Sequence, residues 1–128
     1  MTVEEAIAAA EVLLPGHSAL EGEADPRWQA IIAVGAFVEA QPDPVWLFVV
    51  RWGSSPDADL RMAVATCVLE HLLEFHFDEF ISRVEQAALE DPLFADMIIS
   101  CWKFGQAEDP DRAARIDRLV AALRRRTR

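Results

Sequence analysis

The passage that decides the fold runs Ser55-Pro56-Asp57-Ala58-Asp59-Leu60-Arg61-Met62-Ala63-Val64-Ala65-Thr66-Cys67-Val68-Leu69-Glu70-His71-Leu72-Leu73. A helix-capping pair opens it, and the apolar residues that follow recur at helical spacing. An Asp or Ser oxygen accepts an otherwise orphaned N–H of the first turn. Proline loses nothing at the first helical position, because no N–H is needed there and its fixed φ suits a helix. The same punctuation recurs at Asp25-Pro26, Asp43-Pro44, Asp91-Pro92 and Asp109-Pro110. Each pair reads as cap and first helical residue, so five helix starts are predicted. Pro15-Gly16, Gly53 and Gly105 follow apolar segments, where a left-handed glycine closes a helix.

Outward from this passage the spacing stays helical. Ala65, Leu69, Leu72, Leu73, His76, Phe77, Phe80, Ile81 and Val84 recur at steps of three and four and form one stripe. The one strand-like run, Val45 to Val50, begins at an Asp-Pro start and ends near Gly53, so it too reads as a buried helix. Helices are predicted at 2–14, 26–40, 44–52, 56–75, 77–90, 92–104 and 110–125, with a loop at 16–24. No breaker stands at Phe75-His76-Phe77, yet an unbroken helix over 56–90 would be about 50 Å long. That exceeds a compact domain of this size, and a turn is expected there. The fold class is all-α.

At 128 residues and 52% hydrophobic side chains, with a mean hydropathy of +0.11, the chain is too apolar for a disordered segment and long enough for one core. One domain over 1–128 is expected, with 118–128 as an Arg-rich tail open to fraying. The net charge of −10 is unevenly spread. Residues 1–111 carry −16, and residues 112–128 carry +6 through seven arginines and one aspartate. An acidic body repels phosphate, so nucleic-acid contact is expected only through Arg124, Arg125, Arg126 and Arg128. No apolar run reaches the roughly 20 residues of a membrane span. The start Met1-Thr2-Val3-Glu4-Glu5 is acidic where an export signal is basic, and two cysteines suit a reducing cytoplasm.

Asp25-Pro26-Arg27-Trp28, Asp57-Ala58-Asp59-Leu60 and Asp91-Pro92-Leu93-Phe94 open three apolar helices at steps of 32 and 34. Trp28, Leu60 and Phe94 fall into register, as do Gly35, Cys67 and Cys101. Such periods mark units that bury their apolar faces by stacking on neighbours. With its first helix from Asp43, turn aspartates, Leu60-Arg61 pair and small-residue helix ending at Leu69, the chain resembles the HEAT-like family of helical-hairpin repeats. The resemblance implies a short α-solenoid of about three stacked antiparallel hairpins with a C-terminal basic helix. It also implies a scaffold that offers its inner helices to a partner. In such repeats the turn Asp and the Arg hydrogen-bond between neighbouring turns, which implies a structural role for Asp57 or Asp59 with Arg61.

The densest polar cluster is Glu70-His71-Leu72-Leu73-Glu74-Phe75-His76-Phe77-Asp78-Glu79. Glu70, His71 and Glu74 share one helical face, and paired His and carboxylate can hold a metal when a second helix contributes a similar pair. No other helix offers His beside Glu, so a solvated acidic stripe is the expectation, with no metal and no cofactor. His76 lies on the apolar stripe and is expected to be buried against a backbone carbonyl. His17 stands in a loop without a partner. Cys67 and Cys101 read as small apolar residues in mid-helix, and no phosphate-cradling glycine loop is present. Of the four tryptophans, Trp52 beside Gly53 is the one expected to show surface.

These features point to a non-catalytic interaction module that binds a basic protein through an inner face made acidic by Glu39, Glu70, Glu74 and Asp96, with His71 and Trp52 beside it. A tight form would be an immunity or inhibitor protein covering a toxin's cationic surface. The alternatives are a metal- or small-ligand-binding protein centred on His71 and Glu74, and nucleic-acid contact through the Arg-rich end.

Overall fold

Thr2 opens the first helix with a reciprocal cap: its hydroxyl accepts the Glu5 N–H at 3.1 Å, and the Glu5 carboxylate accepts the Thr2 N–H at 3.2 Å. The computed structural model describes residues 1–16, 19, 20 and 22–126, and within them every regular element is helical. The α-helices are α1 (Val3–Leu13), α2 (Pro26–Gly35), α3 (Pro42–Gly53), α4 (Ala58–Val64), α5 (Glu70–Glu90), α6 (Pro92–Ser100) and α7 (Pro110–Arg126). A π-helical turn, Ala65–Leu69, joins α4 to α5, and a 3₁₀ turn, Gly105–Glu108, precedes α7. The Val45–Val50 run lies inside α3, as expected from its flanks.

Three of the five capping pairs act as predicted. Asp25 and Asp91 each accept the N–H two residues on at 2.9 Å, and Asp109 accepts the Arg112 N–H at 3.2 Å. The other two are displaced. Helix α3 begins at Pro42, so Asp43 falls in the first turn, where its charge suits the positive helix end. Helix α4 is capped by Asp57, which accepts from both Asp59 and Leu60, while Ser55 Oγ accepts the Asp57 N–H one step earlier. A carboxylate serving two orphaned donors out-competes a single hydroxyl for the cap.

Three predicted ends also move. Helix α2 stops at Gly35, and 36–40 continue as turns whose Phe37 and Val38 N–H groups reach back only three residues. Helix α6 stops at Ser100, and Cys101 is extended at φ −74°, ψ 144°. The predicted 56–75 helix is interrupted by the π turn, so neither cysteine sits mid-helix: Cys67 lies in that turn and Cys101 follows the end of α6. The expected break near residue 76 is present as a kink at His76, with φ −138°, ψ 46°. His76 is half-buried there, and its Nε2 lies 2.8 Å from the Glu39 carbonyl.

Of the glycines expected to close helices, only Gly105 has a positive φ, +52°, and it lies five residues past the end of α6. Gly16 and Gly53 do not take the left-handed form. Gly35 and Gly53 matter for space instead: an added Cβ would collide with the Cys67 carbonyl oxygen at Gly35 and with the Met97 methyl at Gly53.

The stripe read from the sequence is the core. Leu69, Leu72, Leu73, Phe77, Phe80, Ile81 and Val84 are all buried. Trp46 of α3 ties two neighbours together, with ring centroids 5.8 Å from Phe80 and 5.9 Å, edge-on, from Phe94. Helix α1 packs on α2 and α3, α2 on α4 and the π turn, α4 on α3 and α6, and α5 on α6. Helix α7 lies on α5 and α6 and buries Ile116, Leu119 and Leu123. The Arg-rich end is helical through Arg126, with Arg124, Arg125 and Arg126 exposed beyond the buried Leu123. Thr127 and Arg128 lie outside the described residues, as does His17.

Candidate interaction surface

The first turn of α5 places Glu70, His71 and Glu74 together, as the sequence spacing requires. Glu70 is buried, and its Oε2 accepts the Trp102 N–H at 2.9 Å. Burial pushes its carboxyl above the usual range, with the Trp102 N–H and His71 acting against that shift. His71 Nδ1 lies 2.7 Å from Glu74 Oε1, and its ring stacks on Phe104 at 5.8 Å with 14° between planes. Gly105 packs against the Glu74 backbone, where an added Cβ would stand 2.8 Å from the carbonyl oxygen. Residues 101–105 are thus held along α5 at three successive points.

The remaining predicted residues lie elsewhere. Glu39 is exposed, with its carbonyl against His76. Asp96 is exposed midway along α6, 2.9 Å from the buried Arg61 guanidinium. Glu70 faces inward and Glu74 is taken up by His71, so the four acids do not form one open acidic face. Trp52 is half-buried, with Arg51 stacked over its ring at 5.1 Å.

Asp57 and Asp59 do not bond Arg61. They hold Arg27, which donates to Asp57 at 2.9 Å and to Asp59 at 3.2 Å, while Arg61 donates to Asp96 and to the Ser55 carbonyl. Arginine reaches past its own turn to the next because its stem lies buried between helices and only the fork emerges. The Arg27 hydrogen bond holds the Asp57 carboxyl below its usual range.

Sequence reasoning missed Trp102. It is 73% exposed and stands on the extended segment after α6, followed by the partly exposed Phe104. Nothing in Ile98-Ile99-Ser100-Cys101-Trp102-Lys103-Phe104 breaks a helix. The cause is Glu70, 32 residues upstream, whose carboxylate captures the Trp102 N–H. The loop that follows exposes Glu108 and Asp109, and the first turn of α7 exposes Asp111. Its two nearest cations are occupied, Lys103 with Asp117 at 2.7 Å and Arg112 with Asp78 at 2.8 Å.

Two arginines of α7 meet acids on α5, not the predicted inner-face residues. Arg112 grips Asp78 with two hydrogen bonds and Arg115 grips Glu85 likewise. Arg126 donates to the Leu89 carbonyl at 3.0 Å. Beside it a cleft of about 340 Å³ opens between the ends of α5, α6 and α7, floored by Leu89, Ala95, Ile99 and Leu123 and edged by Glu90 and Asp96.

Among the described residues no group of three or more His, Cys, Asp or Glu is placed to hold a metal ion. Burial raises the thiols of Cys67 and Cys101, which disfavours the nucleophilic thiolate at both. No helix among the described residues is long and apolar enough to cross a membrane. A family model described as a family of unknown function, DUF6869, matches residues 17–123. No curated protein and no solved structure matches the chain.

Proposed function

We propose that this chain, which belongs to the DUF6869 family, is a non-catalytic interaction module that binds a basic protein partner. The observation that carries the reading is the fate of its cations. All five basic side chains of residues 1–111, Arg27, Arg51, Arg61, Arg83 and Lys103, stand in ion pairs within the molecule. Arg112 and Arg115 are likewise engaged. The excess of carboxylates that gives the chain its charge of −10 is therefore what an approaching molecule meets. Such a field steers cationic partners and repels phosphate.

The architecture behind this reading is a short stack of HEAT-like hairpins with α7 as its closing helix. Gly35, Cys67 and Cys101, in register in the sequence, support it by standing at close helix approaches: Gly35 against the Cys67 carbonyl, and the Cys101 thiol 3.6 Å from the Ala65 carbonyl. An inhibitor that covers a cationic surface is the tight form of the proposal. A reducing cytoplasm is its setting, in keeping with two free thiols. Metal binding at His71 and Glu74 draws no support from a cluster too small to be a cage. Nucleic-acid contact through the Arg-rich end is opposed by the acidic excess of the rest of the chain.

Binding of the full chain to poly-L-lysine, titrated calorimetrically at increasing salt, tests the charge reading. Binding that weakens steeply with salt supports it. No heat at low salt, or equal binding of a polyanion, overturns it.

A further inference from the structure

The loop between α6 and α7 combines features that rarely occur without a use. Large apolar side chains normally leave water on folding, yet Trp102 is 73% exposed and Phe104 38%. Their exposure is enforced by the fold. An apolar helix that would otherwise run on is stopped at Ser100, and the extended backbone is fixed by the Trp102 N–H on buried Glu70, the Phe104 ring on His71 and Gly105 on the Glu74 backbone. A buried carboxylate is costly to keep, and here it serves to hold a tryptophan outward. Exposed aromatics on a backbone already fixed in place offer large contact area with less chain entropy left to lose on binding.

We propose that Trp102 and Phe104 form the anchor by which this protein docks a cationic amphipathic segment of its partner, an inference that rests on the interaction reading above. The occupant follows from the charge around the anchor. Glu108 and Asp109 are exposed within the same loop and Asp111 in the first turn of α7, while Lys103 and Arg112 are paired to Asp117 and Asp78. A second copy of this acidic chain would be repelled. A segment with an apolar row beside Lys or Arg meets the rings with the first and the carboxylates with the second. An Arg or Lys over the indole face adds a cation–π contact.

The test uses the full chain with two probes, a Leu–Lys amphipathic helical peptide and poly-L-lysine, titrated calorimetrically against wild type, W102A and the pair Glu108→Gln with Asp111→Asn. Circular dichroism shows whether each variant keeps its helices, as expected at exposed positions. For the amphipathic peptide, W102A should weaken binding at least tenfold, and the paired variant should weaken it and flatten its salt dependence. For poly-L-lysine, W102A should change little. Equal affinity of wild type and W102A for the amphipathic peptide overturns the anchor and leaves the charge reading standing. Failure of wild type to bind either probe at low salt overturns both. Binding to uncharged phosphatidylcholine vesicles that is lost in W102A, with no peptide binding, assigns the rings to lipid and overturns the proposal.

Discussion

Glu70 and Trp102 lie 32 positions apart, and the carboxylate of one holds the backbone N–H of the other at 2.9 Å from a nearly water-free position. One bond thereby ends α6, sets the direction of the next four residues and decides that an indole faces solvent.

Two neutral replacements of Glu70 separate the bond from the charge. Glu70→Gln keeps an acceptor for the Trp102 N–H, whereas Glu70→Leu leaves that part-buried donor without its carboxylate. The leucine variant should be less stable than the glutamine variant by about 1–3 kcal/mol, the cost of an orphaned donor. Urea unfolding of both checks it, and equal midpoints would show that the bond is not what holds the segment.

The charge itself gives a pH signature. A carboxyl raised in the fold above the ordinary 4.5 of an unfolded glutamate favours the folded state while protonated. That contribution is complete below about 4.5 and is lost as pH rises through the folded value. Wild type should therefore lose stability relative to Glu70→Gln as pH rises above 4.5. Parallel profiles would mean that the carboxylate is solvated after all.

Arg27 is the opposite case. Its guanidinium is buried, spans from α2 to Asp57 and Asp59, and holds Asp57 below its usual 3.8. Stability from this pair is present above 3.8 and is lost as pH falls through the lower folded value. Arg27→Met should cost about 2 kcal/mol at pH 7, less than a fully buried pair would, because water reaches both carboxylates. It should also remove part of the loss below pH 4. Arg27→Lys should recover little, since an ammonium cannot fork between two aspartates.

Gly35 and Gly53 should respond differently to alanine. At Gly35 the added carbon meets the backbone oxygen of Cys67, so two helices must part. At Gly53 it meets the flexible end of Met97. Gly35→Ala should cost about 2 kcal/mol or more and Gly53→Ala measurably less. Thermal unfolding orders them, and the reverse order would contradict the packing described.

Leu123 and the arginines after it divide the roles of α7. Leu123→Ala should destabilise by about 2–3 kcal/mol because the side chain is buried, while Arg125→Ala, on the exposed face, should stay within about 0.5. Chemical unfolding of the two variants checks it.

What the sequence made legible were features decided locally. Asp25, Asp91 and Asp109 act on N–H groups two or three residues away, and the stripe from Leu69 to Val84 follows from helical geometry alone. The turn at His76 could be read from length, although no residue there breaks a helix. Illegible were features decided at a distance. The end of α6 depends on Glu70, the π turn carries the Cys67 carbonyl that Gly35 approaches, and Arg61 selects Asp96 over nearer aspartates because helix packing aims it there. The candidate site divided along the same line. Glu70, His71 and Glu74 follow from spacing, but the sequence points to Trp52 rather than Trp102 because nothing near Trp102 in sequence announces its exposure.

The absence of tyrosine, together with the spread of tryptophan burial, makes the molecule its own optical gauge. Trp46 is 9% exposed against the aromatic core, and Trp102 is 73% exposed beyond α6. Caesium, a cationic quencher drawn to the acidic loop, would be kept from the first and reach the second, so collisional quenching of red-edge emission follows the loop while the blue, shielded component follows the core. The event at the surface and the integrity of the fold can then be timed in one cuvette, without a label.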